Sequence, residues 1–111
     1  MPRSKSSVQP YLVLSTASSE KEAQKIAQLL VRGRLAACVN IVPQACSIFH
    51  WRGKVDRARE WLLVIKTTKG RLALLRQVVL KHHSYETPEL IGWPILWGSA
   101  SYLNWLKQSV R

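Results

Sequence analysis

The spacing of apolar side chains predicts that strands and helices alternate along this chain. Residues 11–16 form a short continuous apolar run, which is typical of a buried strand. Ser19 then lies three residues before Glu22, which is the spacing of a helix capping box. Apolar residues recur afterwards at helical intervals, at Ala23, Ile26, Ala27 and Leu30. We expect an amphipathic helix here that ends near Gly33.

More apolar segments follow this helix. The runs at 35–42 and 46–51 are separated by Pro43, and we expect them to pair as an antiparallel hairpin. Residues 61–68 form the next strand, and helical spacing returns over 71–82. Residues 90–97 form a last strand, in which Gly92 and Pro94 indicate a sheet edge or a bulge. Ser99 can cap a final helix that carries Tyr102, Leu103, Leu106 and Val110.

The resulting order is β-α-β-β-α-β with an added C-terminal helix. This order predicts an α+β, ferredoxin-like sandwich, in which one antiparallel sheet carries both main helices on one face. Residues 1–10, rich in Ser, Lys and Pro, are predicted to be a disordered tail before a single domain at 11–111. The hairpin strands are apolar, and five tryptophans are many for 111 residues. Both features predict self-association, because a small domain cannot cover so much apolar surface alone.

The charge of the chain is strongly positive. The chain has 17 Lys and Arg residues and six Asp and Glu residues, which gives a net charge of +11. Such a charge can attract nucleic acid, a phosphorylated ligand or a membrane surface. The basic residues are scattered, which disfavours nucleic acid, and no stretch approaches the ~20 apolar residues of a membrane span. Cys38 and Cys46 form no CxxC motif, so we expect reduced thiols and a cytoplasmic protein.

Residues 81–95 hold the most reactive side chains of the chain. His82 and His83 are adjacent, and Tyr85, Glu86 and Glu89 follow them. Imidazoles and carboxylates at this density can bind a metal ion or move protons. The same residues also fit a helix C-terminus whose histidines interact favourably with the helix dipole, since adjacent histidines diverge around a helix axis. The spacing alone leaves both interpretations open.

Seven short segments occur in a fixed order along nearly the whole chain. They are Ala23, Ile26 and Ala27 with Leu30; LAACVNIVP at 35–43; Ser47 with Trp51 and Gly53; IKT at 65–67; H-x-Y-E-x-P-E at 83–89; Pro94 and Ile95 with Gly98; and YLNW at 102–105. Together they resemble the CutA divalent-cation tolerance family. The resemblance implies a ferredoxin-like fold and a tight homotrimer, joined partly by edge pairing of the long hairpin.

The resemblance also implies a function. It indicates a non-enzymatic, cytoplasmic protein of divalent-cation tolerance, with copper as the cation associated with bacterial members. The family trimer is similar in architecture to the PII signalling proteins. An alternative function is therefore a trimeric sensor of a small anionic ligand at the clefts between subunits, although fold analogy alone is weak evidence.

Candidate metal ligands follow from the same resemblance. His82 and His83 match the adjacent histidines to which copper binding is assigned, and Glu89 could add an oxygen ligand. The expected ion is Cu(II) or another divalent cation, bound weakly, and no organic cofactor is implied. A family cysteine at the end of the first strand is replaced by Ser15, which removes the soft thiolate that would favour copper.

A second candidate site is a cleft between subunits. We expect Trp51, Lys66, Tyr85 and Glu86 to line it, because clefts with aromatic and charged walls are common ligand sites. An alternative is that Glu86 and Glu89 pair with Lys66 across the trimer interface and serve assembly only. Asn40, in the middle of an apolar strand, is predicted to be a buried, hydrogen-bonded amide.

Two other classes of protein share this order of elements. An RNA-recognition module needs an RNP1 pattern on its third strand, which residues 46–51 lack. An acylphosphatase needs an arginine in a phosphate-cradling loop after the first strand, and residues 17–19 contain neither Gly nor Arg. No nucleophile and base stand at a recognisable spacing either, so we expect no catalysis.

Overall fold

The computed structural model describes residues 5–111. A 3₁₀ helix at Lys5–Val8 precedes the first strand, and another at Lys69–Arg71 precedes the second main helix. The main elements, in chain order, are β1 (Pro10–Ala17), α1 (Glu20–Arg32), β2 (Cys38–Trp51), β3 (Lys54–Thr68), α2 (Leu72–His82), β4 (Leu90–Pro94) and α3 (Ala100–Ser109). This order confirms the predicted α+β, ferredoxin-like fold with an added C-terminal helix.

The four strands form one antiparallel sheet in the order β2-β3-β1-β4. One face of the sheet carries the core, because Val13 and Ala17 of β1 and Leu63 and Ile65 of β3 are almost fully buried there. They pack with the buried stripes of α1 and α2. A second, smaller cluster joins Leu106 and Val110 at the end of α3 to Ala37. The core therefore lies between the sheet and the helices.

Helix α1 begins and ends as its sequence predicts. The Ser19 side chain accepts a hydrogen bond of 3.1 Å from the backbone N–H of Glu22, and Gly33 follows the last turn. All four residues of the predicted apolar stripe are buried: Ala23, Ile26, Ala27 and Leu30. The side-chain cap satisfies one of the free N–H groups at the helix start, and the stripe fixes the face that packs on the sheet.

The opposite face of the sheet, here called the open face, is covered by neither α1 nor α2. Residues directly opposite each other in antiparallel strands point to the same face, so the register places seven apolar side chains on this one: Leu12, Leu14, Val42, Leu62, Val64, Ile91 and Trp93. Val42, Ile91 and Trp93 are 45–55% exposed. The open face thus carries a cluster of apolar side chains, beside which the same register places Asn40 and Lys66.

The predicted hairpin between 35–42 and 46–51 is wrong. These two runs form the single strand β2, and its partner is β3, which begins at Lys54. Pro43 does not end the strand, because β2 is an edge strand and the register shifts between Val42 and Ala45 at a bulge. The true turn lies at Arg52 and Gly53, whose positive φ angles of 51° and 78° suit a tight two-residue hairpin turn.

The outer half of this hairpin projects beyond the sheet. β1 pairs with β3 only from Trp61 onwards, so residues 45–51 and 54–60 pair only with each other. We call this two-stranded segment the arm. It exposes four large apolar side chains, those of Ile48, Phe49, Trp51 and Val55.

Several local predictions differ from the structure. Residues 1–4 of the predicted disordered tail lie outside the described residues, whereas residues 5–8 are helical and Lys69 donates a backbone hydrogen bond to Gln9. The last strand ends at Pro94 rather than at residue 97, because its partner β1 begins at Pro10, to whose carbonyl oxygen the backbone N–H of Ile95 donates a last hydrogen bond. Asn40 is exposed in the single chain, and its side-chain oxygen accepts from Lys66. No helix of the described chain is both long and apolar enough to span a membrane.

Candidate functional site

The loop at residues 83–89, between α2 and β4, is fixed through His83. Its Nε2 lies 2.6 Å from the carbonyl oxygen of Thr16, and its Nδ1 accepts a hydrogen bond of 3.0 Å from the backbone N–H of Tyr85. Because Nδ1 accepts, the ring proton is on Nε2 and is donated to Thr16. In this tautomer neither ring nitrogen of His83 has a lone pair left for a metal ion.

Glu22 ties the same loop to the start of α1. One carboxylate oxygen accepts from the backbone N–H of Ser18 at 2.9 Å, and the other accepts from that of Ser84 at 2.8 Å. Burial alone would raise the pKa of Glu22, but these hydrogen bonds outweigh it and hold the pKa below its ordinary value. The ionised carboxylate is therefore part of what positions the loop.

Ser15, where the family resemblance leads us to expect a cysteine ligand, faces the core. Its side chain is 1% exposed, and its hydroxyl donates a hydrogen bond of 2.7 Å to the carbonyl oxygen of Glu89. It therefore fixes the far end of the loop. It does not lie open beside the histidines.

The structure does not bring His82, His83 and Glu89 together as a preformed metal site. His82 is the last residue of α2 and is half-buried, while the Glu89 residue is exposed. Within residues 5–111, no three His, Cys, Asp or Glu side chains are close enough to hold a metal ion. Of the predicted ligands, His82 is the imidazole that the hydrogen bonds of the loop leave unused.

A cleft of about 940 Å³ lies between the arm and the loop. Three of the four predicted cleft residues, Trp51, Tyr85 and Glu86, line it. Lys66 does not line this cleft of the single chain. Lys66 lies six residues along β3 from the cleft residue Glu60, roughly 20 Å in an extended strand. Its ammonium group bonds to Asn40 instead.

The wall of the cleft contains a buried carboxylate that the sequence analysis missed. Glu60 is 6% exposed, and its Oε2 accepts a hydrogen bond of 2.8 Å from the Tyr85 hydroxyl. Burial, together with the neighbouring Glu60 carboxylate, raises the pKa of Tyr85 to about 12. Tyr85 therefore stays a neutral donor across the physiological range.

The acidic residues of the chain are concentrated in this cleft. Of the six carboxylates in the sequence, four line it: Asp56, Glu60, Glu86 and Glu89. Arg57 is the one Lys or Arg among the described lining residues. The sequence does contain a signal for this site. Only six acidic residues occur in the chain, and these four fall in two short segments, the arm and the loop at 83–89.

One arginine of the chain lies at the mouth of the cleft. The Arg52 guanidinium is 5.4 Å from the centre of the Trp51 ring and 3.8 Å from a carboxylate oxygen of Glu86. Both charged side chains are more than 70% exposed, so this ion pair is loosely held. The guanidinium of Arg52 therefore lies beside both an aromatic ring and a carboxylate.

Comparison with known proteins finds relatives that match nearly the whole chain in sequence and in structure. Residues 11–109 match the family model described as CutA1 divalent ion tolerance protein. The divalent-cation tolerance protein CutA of Thermus thermophilus is 45% identical over 98 residues, which cover 88% of this chain and 95% of that protein. The chloroplastic protein CutA of Arabidopsis thaliana is 42% identical over all 111 residues, and the chain spans 61% of its length. The crystal structure of CutA1 from Oryza sativa superposes with a TM-score of 0.91 at 39% identity, covering 96% of this chain and 98% of that one.

Proposed function

This chain belongs to the CutA1 divalent ion tolerance family, and from that membership we propose that it acts in the cell's tolerance of divalent cations, copper included, as a non-enzymatic homotrimer. The family match over residues 11–109 is the observation that carries the proposal. Relatives at 38–45% identity bear the name divalent-cation tolerance protein CutA. The fold supports it, because the structure shares the architecture of solved family members over nearly its full length.

The open face and the arm support assembly. A two-stranded hairpin is marginal in water by itself, yet the arm exposes Ile48 at 67% and Val55 at 70%. The open face adds the exposed Val42, Ile91 and Trp93. Apolar surface of this extent usually meets another subunit. Three copies would carry three times +11, that is +33, so apolar burial must offset the repulsion between them.

Cu(II) binding in this proposal is weak and centres on His82. Its imidazole stands at the end of α2, and Glu89 supplies an oxygen nearby in the chain. His83 could join only by giving up its hydrogen bond from Tyr85. With Ser15 in place of a cysteine and buried in the core, the site has no thiolate, which limits its affinity for copper.

Absence of catalysis is also part of the proposal. The cleft is lined by Ser47 and His50, but no hydroxyl of its described lining residues is hydrogen-bonded to a histidine ring. A nucleophile activated by a base requires such a contact. The cleft therefore fits binding better than covalent chemistry.

The alternative of a small anionic ligand gains no support from the cleft. Four carboxylates in its wall would repel an anion, and Arg57 offers a single positive charge against them. A cation suits this cleft better.

We place the protein in the cytoplasm. Both cysteines are free thiols, with Cys46 exposed, and a reducing compartment preserves that state. Fractionation of cells that produce the protein tests this location.

Growth in copper tests the proposed function. A bacterial strain that lacks its own family member should regain growth at elevated copper when it produces this chain. Replacing His82 by Ala should reduce the rescue, whereas the matched change Lys81→Ala on the neighbouring exposed residue should not. If the wild-type chain accumulates as a folded protein and copper sensitivity is unchanged, the proposed function is wrong.

A further inference from the structure

Helix α1 carries a row of bases on the side opposite its buried stripe. With about 100° of rotation per residue, Lys21, Lys25 and Arg32 lie within about 40° of one another around the helix axis. All three residues are exposed, whereas the buried stripe of the same helix faces the sheet. The row of bases therefore points straight away from the sheet into solvent.

Helix α2 enlarges this positive surface. It packs beside α1 on the same face of the sheet, and its Arg76 and Lys81 are exposed. No Asp or Glu occurs between residues 61 and 85, and Glu20 is the one exposed acid of the two helices. We call the outward surface of α1 and α2 the helix face. Its five bases are far apart in the sequence, and the packing of the two helices brings them to one surface.

Exposed leucines stand among these bases. Leu29 lies one turn after Lys25, and Leu80 lies one turn after Arg76, so each of these leucines shares a side of its helix with a base. Leu74 is a third exposed leucine, on α2. The three leucines are 37–47% exposed. The helix face thus combines positive charge with aliphatic surface.

The helix face is turned away from the proposed subunit contacts. The open face lies on the other side of the sheet from the two helices, and the arm projects beyond the sheet. Burial of the open face and the arm between copies leaves α1 and α2 on the outside of the assembly. A large partner can therefore reach the helix face in the assembled protein.

Both features of the helix face match the surface of an anionic lipid bilayer. Its phosphate headgroups attract Lys and Arg, and each base near the surface strengthens binding about fivefold. Below the headgroups, the acyl boundary accepts leucine side chains, while the stems of the lysines lie along it and their charged ends stay among the phosphates. A nucleic-acid backbone offers phosphates to the bases but no apolar surface to the leucines.

We propose that the helix face docks reversibly onto a bilayer that contains anionic phospholipids. The five bases contact the headgroup phosphates, and the exposed leucines reach the acyl boundary. This docking requires neither a metal ion nor the cleft, so it holds whether or not the protein acts in copper tolerance.

Co-sedimentation with vesicles tests the proposal. The full chain is mixed with phosphatidylcholine vesicles that either contain or lack phosphatidylglycerol. We expect binding to the mixed vesicles and not to phosphatidylcholine alone, with an affinity that falls as salt is added. Absence of binding to the mixed vesicles at low salt overturns the proposal.

Two double variants with the same change in net charge locate the contact, since any strongly basic protein is attracted to anionic vesicles. Lys25→Gln with Arg76→Gln removes one Lys and one Arg from the helix face and should weaken binding at least about tenfold. Lys54→Gln with Arg59→Gln removes the same two residue types from exposed positions of the arm and should weaken it less than about threefold. Equal effects would mean attraction by net charge alone and would contradict the proposal.

A change of leucine at constant charge separates a bilayer from a nucleic acid. Leu80→Ser should weaken binding to the mixed vesicles about three- to tenfold, because less apolar surface enters the acyl boundary. Leu96→Ser is the control, since Leu96 is exposed outside the helix face, and should leave binding unchanged. Binding of duplex DNA should be the same in both variants. If Leu80→Ser leaves vesicle binding unchanged, or if the wild type binds duplex DNA more tightly than the mixed vesicles, the helix face is a surface for nucleic acid and the proposal is wrong.

Discussion

The Tyr85 hydroxyl donates a hydrogen bond of 2.8 Å to Glu60 Oε2, which joins the loop at 83–89 to β3. The bond crosses one end of the cleft and satisfies one oxygen of a buried carboxylate. Together with the contact of His83 with Thr16 and the bonds of Glu22 to Ser18 and Ser84, it holds the loop at several points. The wall of the cleft is therefore preorganised before any ligand binds.

Tyr85 should make stability depend on alkaline pH. Its pKa is raised from 10.0 to about 12 in the folded protein, so the neutral phenol is favoured by folding. The stabilisation is fully present below pH 10 and is lost as the pH rises towards 12. Unfolding by urea as a function of pH should show this loss in the wild type and not in Tyr85→Phe. Tyr11→Phe, outside the cleft, is the control and should retain it.

Glu22 should contribute stability that disappears in acid. Its pKa lies below 4.5 in the folded protein, so its contribution is present above pH 4.5 and is lost as the pH falls through the lowered value. Glu22→Gln should cost about 0.5–1.5 kcal/mol at pH 7, because the solvent-exposed hydrogen bonds that Glu22 accepts from the backbone N–H groups of Ser18 and Ser84 are weakened. Glu20→Gln is the matched control, since Glu20 is exposed at the same helix start. A cost at pH 7 that persists unchanged at pH 3 would contradict the role of the charge.

The elements that were predicted correctly are those governed by local pattern. Helix α1 follows from the cap at Ser19 and one apolar stripe, both of which act within a few residues. The break predicted at Pro43 was wrong because proline is harmless on an edge strand at a bulge, and only the sheet order shows that β2 is an edge. Gly53 is a turn signal in the sequence, but a positive φ at the preceding Arg52 has no strong signal, so the turn of the hairpin was placed at Pro43 instead.

The candidate site depended on contacts far apart in the sequence. The hydrogen bond of His83 joins it to Thr16, 67 residues away, so spacing could not show that its nitrogens are occupied. Lys66 lies at the other end of β3 from the cleft of the single chain, which only the strand register shows. Glu60 precedes the apolar run of β3 in a polar segment, where a buried carboxylate resembles an exposed one.

Copper binding should distinguish the two histidines. His82→Ala should abolish most of the heat of Cu(II) binding in calorimetry. His83→Ala should leave a larger share of it, because both ring nitrogens of His83 are already hydrogen-bonded. The main effect of His83→Ala should be a free energy of unfolding that is lower by about 1–3 kcal/mol, because the two hydrogen bonds through which His83 holds the loop are lost. A larger loss of copper binding in His83→Ala than in His82→Ala would show that the loop rearranges around the metal.

A charge placed on the open face should disrupt assembly. Val42 and Leu74 are similarly exposed in the single chain, at 45% and 47%, but Leu74 lies on α2, away from the open face. Val42→Lys should shift the protein towards smaller species in sedimentation velocity. Leu74→Lys adds the same charge and should leave the assembly intact. If neither variant changes the sedimentation coefficient, the subunits meet elsewhere.

The molar mass of the unmodified chain in solution tests most directly whether the apolar open face and the arm are covered by other copies. Light scattering coupled to size exclusion, at micromolar concentration, should give about 38 kDa, three times the 12.7 kDa of one chain. A well-behaved species of 12.7 kDa would contradict the assembly, because the exposed arm would then be stable in water without a partner.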